Sequence, residues 1–392
     1  MSTAAVPTRA TRPRIESVDL LRGAIMVLMA LDHVRDFVGS RVNPVNLDTT
    51  TVPLFFTRWI THFCAPVFFL TMGMGAYFAL GRRSKPQLSR FLLTRGLWLI
   101  FLELVPLRCL AFQFNFDYHV TMLFILWALG WAMIILSVLV YLPAWAIITI
   151  GAVAICGHNL LDRIDSRNPL WVILHSPGLL FSTGQHTVVV AYVLVPWFGV
   201  TAVGYGMGQI YSWEAERRRR FLLRLGLGLS LAFVVLRAIN VYGDPNPWSV
   251  QKSAAFTVLA FLNTVKYPPS LLFLLMTLGP ALIALSVLDG KSVMLLRPLL
   301  IIGKVPLFYY ILHIPLIHLI AVIICYARYG HIYWTFQSPD AGNIPFTAPP
   351  GWGLSLPWIY VTWIGVVLLL YPLCKWWAGV KQRHSAAWLS YF

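Results

Sequence analysis

The chain is 392 residues long, 58% hydrophobic and only 11% charged. A water-soluble domain carries about 25% charged residues, so a soluble globular protein is excluded. The formal net charge of +16 would suggest nucleic acid in a soluble domain. Here the basic residues cluster in short connections between apolar stretches, where the positive-inside rule puts them, and nucleic acid is not an expected partner.

Apolar stretches of about twenty residues recur along the whole length. The expected fold is all-α: a polytopic integral membrane protein of about ten transmembrane helices, over 18–38, 54–80, 91–112, 120–141, 144–161, 188–211, 221–241, 269–288, 298–326 and 355–376. Residues 1–16 read as an N-terminal tail, 17–377 as the helical bundle and 378–392 as a C-terminal tail. Arg9, Arg12 and Arg14, the Arg82–Lys85 turn, the Arg217–Arg220 run, Lys291 to Arg297, and Lys375, Lys381 and Arg383 fall on one side. The alternate loops, Asn43 to Pro53 and Pro339 to Trp352, are nearly charge-balanced, which places both termini in the cytoplasm. The first apolar run lacks a small-residue cleavage site and reads as a retained span. Five cysteines (Cys64, Cys109, Cys156, Cys325, Cys374) lie in or beside apolar stretches at no metal-like spacing, and no metal is expected.

The first span carries Asp19, Arg22, Met26, Met29 and His33 on one face. Arg22 and His33 return to within roughly 20° of each other, about 16 Å apart along the axis. Ionisable groups inside a bilayer are costly and mark function by default. Arg22 suits a phosphate near the cytoplasmic surface, and His33 suits a base or nucleophile. Asp32, adjacent in sequence, points about 100° away, so Asp36 at i+3 is the expected orienting partner. In the second span Arg58 and His62 share a face at a depth similar to His33. The third holds Arg95 one turn inside a cationic mouth formed with Arg82 and Arg83, and Glu103, expected to pair with an arginine.

Gly204-Tyr205-Gly206-Met207-Gly208 lies in an apolar span and follows no strand, so it reads as a close-packing helix surface. Asn263 and Lys266 open the eighth span on the outer side. In the ninth, Lys304 sits near the cytoplasmic end, Tyr309 and His313 share a face, and Tyr310 adjoins them. Plain interhelical ion pairs, helix caps and interfacial anchors are the competing readings of these residues.

Ser17-Val18-Asp19-Leu20-Leu21-Arg22-Gly23 and His62-Phe63-Cys64-Ala65-Pro66-Val67-Phe68-Phe69-Leu70-Thr71-Met72-Gly73 resemble the opening of the heparan-α-glucosaminide N-acetyltransferase catalytic-domain family, closest to its bacterial branch. Val195–Val200, Lys266–Ser270 and Gly303–His313 resemble it too, so the likeness runs through nearly the whole chain. The pairing of Arg22 and His33 with a later Gly-Lys…Tyr…Leu-His-x-Pro is also similar to bacterial membrane O-acyltransferases. The animal N-acetyltransferases place their catalytic histidine where this chain has none at the corresponding offset, and heparan is not the expected acceptor.

The resemblance implies transmembrane acyl transfer, from cytoplasmic acetyl-CoA to a sugar or glycan on the far side, in the bacterial inner membrane. The expected catalytic group is His33, Asp36, His62 and His313. Arg22, Arg82, Arg83, Arg95 and Lys304 would hold the CoA phosphates, and Arg58, Asn263, Lys266, Tyr309 and Tyr310 would meet the substrate. The expected partners are the lipid bilayer, a glycan or sugar acceptor and, as an option, a second copy in a homodimer. A secondary transporter using the same charges for proton coupling and a non-catalytic scaffold are the alternatives.

Overall fold

A computed structural model describes residues 15–291, 294–339, 344–384 and 386–391. Arg9, Arg12 and Arg14 lie outside the described residues, as do parts of the Lys291–Arg297 and Pro339–Trp352 connections. The helices are α1 (Glu16–Val38), α2 (Val52–Thr61), α3 (Cys64–Leu80), α4 (Lys85–Leu102), α5 (Ile125–Leu139), α6 (Ala144–Gly157), α7 (Pro169–Leu174) and α8 (Leu194–Met207). They continue with α9 (Ala215–Ile239), α10 (Ala254–Leu262), α11 (Leu271–Leu288), α12 (Arg297–Lys304), α13 (Pro306–Tyr329) and α14 (Leu356–Arg383).

The helix starts are legible in local chemistry. Ser84 and Gln87 form a reciprocal capping box at α4, Glu214 accepts from the Arg217 N–H at α9, and Ser270 accepts from the Phe273 N–H at α11. Six segments are long and apolar enough to cross a membrane: 52–80, 144–161, 215–239, 271–288, 306–329 and 356–383. In α9 and α14 only 22% and 17% of the apolar window is buried against protein, so their outward faces are left for a hydrocarbon surrounding.

Helix α1 is not among the six, because its charges lower its hydropathy. It is instead the hub of the bundle, packed against α2, α3, α11, α12, α13 and α14. Ionisable side chains are tolerated at membrane depth where they face protein or a wet cavity, and α1 occupies such a place.

The elements depart from the expected stretches in several places. The fold is not purely helical: Val120–Leu123 (β1), Gly178–Ser182 (β2) and Thr187–Val190 (β3) form a small sheet in the order β1-β3-β2. These strands occupy the starts of the stretches read as spans over 120–141 and 188–211, where β-branched residues favour a pleated surface over a helix. The stretch 54–80 falls within one segment long enough to cross a membrane, with a local turn at His62–Phe63, whereas 298–326 is broken at Val305. Helix α14 runs past the expected tail boundary to Arg383, after which Tyr391 folds back to within 2.8 Å of Thr94 on α4.

The expected Glu103–arginine pair is also corrected: among the described residues Glu103 pairs with no arginine, and its carboxylate accepts the N–H groups of Phe124, Leu126 and Trp127 at the start of α5, the position where a helix favours negative charge. It also opens a π-helical turn, Glu103–Phe112, around Pro106, which has no N–H to give to the ladder. The glycine run around Tyr205 meets the expectation of close packing: a Cβ on Gly204 would lie 2.2 Å from the Leu70 carbonyl oxygen, and one on Gly206 would lie 2.0 Å from Ile148 Cγ1.

Two ends of the bundle differ in chemistry. One gathers Glu16–Asp19, Arg82, Arg218, Asp289 and Lys291 around a common cavity and is the basic end. The far end is closed by loops, where Arg108 bonds Asn115, Asp117 and Ser338. Burial opposes ionisation of Asp117, but Ser338, the His119 N–H and Arg108 outweigh it and hold its carboxyl below the ordinary value.

Candidate active site

The site begins with a backbone contact between α1 and α12. A Cβ on Gly303 would lie 1.8 Å from the Asp19 carbonyl oxygen, and one on Gly23 would lie 1.9 Å from that of Leu299. Only glycine permits this approach. At Val305 the chain breaks out of helical geometry (φ −134°, ψ 48°) and restarts at Pro306, so α13 also runs alongside α1. The result is that His33 and His313 meet.

His33 Nδ1 lies 2.7 Å from His313 Nε2, with the rings 17° apart in plane and their centroids 4.9 Å apart. His313 is fully buried, and its Nδ1 faces the carbonyls of Tyr310 at 2.7 Å and Tyr309 at 3.1 Å. Carbonyls only accept, so the His313 proton belongs on Nδ1, and in a neutral pair Nε2 is the acceptor. His33 Nδ1 must then be the donor, which leaves the lone pair on His33 Nε2. That nitrogen has no hydrogen-bond partner among the described residues, and His33 is half-buried rather than sealed.

Asp36, the expected orienting carboxylate, is corrected by this geometry: it accepts from Arg35 at 2.6 Å and its side chain is 43% exposed. Asp32 does turn away from His33, as helix geometry requires. It pairs with Arg58, with Arg35 at 2.9 Å and with Thr61 at 2.8 Å. Arg58 is therefore committed to a buried ion-pair cluster joining α1 to α2.

Tyr310 stands between the pair and a cavity of about 630 Å³ whose lining includes neither histidine. Arg22, Arg82, Arg83 and Arg95 line it together with apolar side chains, and Tyr310 borders it. Tyr310 in turn sits edge-on to both His33 and His313, at 6.5 and 5.3 Å between centroids. Arg22 donates to the Thr71 carbonyl at 2.6 Å, while Arg83 lies 4.1 Å and Arg95 5.9 Å from the Phe91 ring centre. Arg22, Gly75 and Arg82 also line the second, more polar cavity of about 1080 Å³ at the basic end. Lys304 lines neither cavity.

His62 does not join the His33–His313 pair. It is buried against Phe273, 5.3 Å between centroids, and lines a separate far-end cavity of about 420 Å³ with Arg58, Asn263, Lys266 and Tyr267. Asn263 donates to the Val45 carbonyl at 3.0 Å, and Lys266 lies 5.1 Å from the Tyr267 ring centre. Tyr309 stacks on His313 at 5.5 Å and stays outside both the basic-end and far-end cavities.

Three residues at these sites escaped the sequence reading. Arg35 and Thr61 complete the Asp32 cluster, and Arg237 holds the carbonyls of Asn246, Ala260, Phe261 and Asn263, shaping the far-end cavity. An arginine inside an apolar stretch was the available signal for Arg237.

No curated protein matches the chain. The family described as heparan-alpha-glucosaminide N-acetyltransferase, catalytic, matches residues 14–242, more than half of the sequence. The match takes in His33, Arg58, His62 and the four arginines of the cavity, Arg22, Arg82, Arg83 and Arg95. The chain belongs to the heparan-α-glucosaminide N-acetyltransferase catalytic-domain family and is a membrane transferase.

Proposed function

We propose that this protein moves an acetyl group from acetyl-CoA, bound at the basic end, to a hydroxyl or amine of a sugar or glycan entering from the far end. The observation that carries this reading is the His33–His313 pair, its proton order fixed by two carbonyls, with Tyr310 between it and a cavity lined by four arginines. Arg82, Arg83 and Arg95 suit the phosphates of CoA, which arginine binds with paired donors. The apolar walls suit the pantetheine arm, and Arg22 stands between the two basic-end cavities.

His33 Nε2 takes the proton from the acceptor as its oxygen or nitrogen attacks the thioester carbonyl. The tetrahedral oxyanion then collapses and expels the CoA thiolate, which is protonated from the His33 imidazolium. His313 holds His33 in the tautomer that leaves Nε2 basic, and Tyr310 is the donor placed to stabilise the oxyanion. His62, Asn263, Lys266 and Tyr267 line the approach for the acceptor. This reading places the basic end and both termini in the cytoplasm, with residues 17–377 forming a bundle of about ten spans in the bacterial inner membrane.

The test uses the full chain in lipid nanodiscs with labelled acetyl-CoA and a panel of amino and neutral sugars. His33→Ala is expected to lower transfer by about 10²–10⁴-fold without moving the unfolding midpoint. Full activity in that variant refutes the mechanism. Failure of acetyl-CoA to stabilise the wild-type chain against heat refutes the donor, and would favour the transporter reading.

A further inference from the structure

The connection that follows α6 brings three metal-ligating side chains together at the far end. One ligand atom from each of His158, Asp162 and His175 falls within 4.8 Å of the others. His175 Nε2 is 3.1 Å from Asp162 Oδ1, and Asn159 Nδ2 donates to the other Asp162 oxygen at 2.7 Å. Both histidines are only 2% exposed.

What distinguishes this cluster from a plain His–Asp hydrogen bond is its unmet polar capacity. Among the described residues, neither ring nitrogen of His158 has a hydrogen-bond partner, and neither does Nδ1 of His175. The Pro269 carbonyl faces His158 without making a bond of normal geometry. A buried polar atom without a partner is normally satisfied by something. Packing holds the arrangement: Trp171 covers His175 at 4.9 Å, His158 meets His175 at 5.7 Å, and Asn159 accepts the Leu271 N–H at the start of α11.

We propose that His158, Asp162 and His175 bind one divalent transition-metal ion of the zinc class. Two imidazoles and one carboxylate suit zinc, copper or nickel rather than calcium or magnesium, which prefer oxygen ligands. None of the three ligands lines the cavities at the two ends of the bundle. The ion therefore acts structurally, pinning His175 at the end of α7 onto the turn that follows α6. The spacing of the ligands hid the site in the sequence, because His175 returns to His158 and Asp162 only after the loop has folded over Trp171.

Chelator-stripped full-length protein in detergent, titrated with Zn²⁺ alone, tests the assignment. The expected result is one ion per chain and a rise in the unfolding midpoint that saturates with binding. His158→Ala and His175→Ala each lower zinc affinity by about 100-fold or more, while His186→Ala, at an exposed loop position, leaves it unchanged. Asp162→Asn, which keeps the Asn159 contact region filled, weakens zinc binding without unfolding the chain. Wild-type protein that takes up no more zinc than the His158→Ala/His175→Ala double variant overturns the proposal. So does stabilisation by zinc that is equal in all variants, since the ion would then be bound elsewhere.

Discussion

Replacing Asp32 by Asn isolates the charge cluster that ties α1 to α2. Asp32 holds Arg58, Arg35 and Thr61 at once, and both Asp32 and Arg58 have side chains only 12% exposed. Asparagine keeps one acceptor oxygen but turns an N–H donor towards one of the guanidinium groups. Arg35 retains Asp36, whereas Arg58 has no second carboxylate among the described residues. Breaking one side of a buried ion pair costs about 3–5 kcal/mol because the surviving charge stays buried. The slight exposure of this pair and the partner left to Arg35 argue for the lower end, about 3 kcal/mol. On a chain of this length that lowers the unfolding midpoint by roughly 4 °C. Thermal unfolding in detergent, followed by the fluorescence of the 16 tryptophans, reads the shift. The double variant Asp32→Asn/Arg58→Met is expected to recover most of the loss, since no unpaired charge remains. A midpoint within about 1 °C of wild type for Asp32→Asn, or simple addition of the two single losses, would refute the reasoning.

Two further outcomes follow from the site. Gly303→Ala forces a methyl group against the Asp19 carbonyl, where the available gap is 1.8 Å; overpacking of this kind costs about 1–3 kcal/mol. The unfolding midpoint should fall, and acetyl transfer should fall with it as α12 and α13 shift against His33. Arg95→Gln is expected to raise the KM for acetyl-CoA about tenfold with little change in kcat, the loss of one charge-assisted contact. Lys304→Gln, outside the lining of either basic-end cavity, should leave that KM within about twofold of wild type; steady-state kinetics over a range of acetyl-CoA concentrations separates the two.

Much of the bundle was legible because membrane helices announce themselves through length and hydropathy. Each expected apolar stretch contains helix, and the glycine run around Tyr205 packs as its composition implied. The strands over 120–123 and 187–190 were not legible, since short runs of valine and threonine inside an apolar stretch read equally well as helix. At the site, helix geometry placed Arg22 and His33 on one face and turned Asp32 aside. It could not select His313 over Asp36 or His62, because that choice depends on two glycines, Gly23 and Gly303, bringing distant helices into backbone contact. The place of Lys304 along its helix was readable, but its absence from the lining of both basic-end cavities was not.

The hub position of α1 has a consequence for how the chain is made. This helix is synthesised before the other helices of the bundle described above, yet its apolar content alone does not qualify it as a membrane span, and much of its neighbourhood is supplied by α11 to α14. Until those segments emerge, Asp32, Arg35 and His33 have Arg58 and Thr61 beside them but no His313 and no α12 wall. The nascent protein must therefore carry a poorly lipid-compatible helix through most of its translation. A ribosome-stalled product ending before residue 297 should hold α1 loosely, accessible to water-borne thiol reagents at introduced cysteines. The full-length chain should bury those same positions.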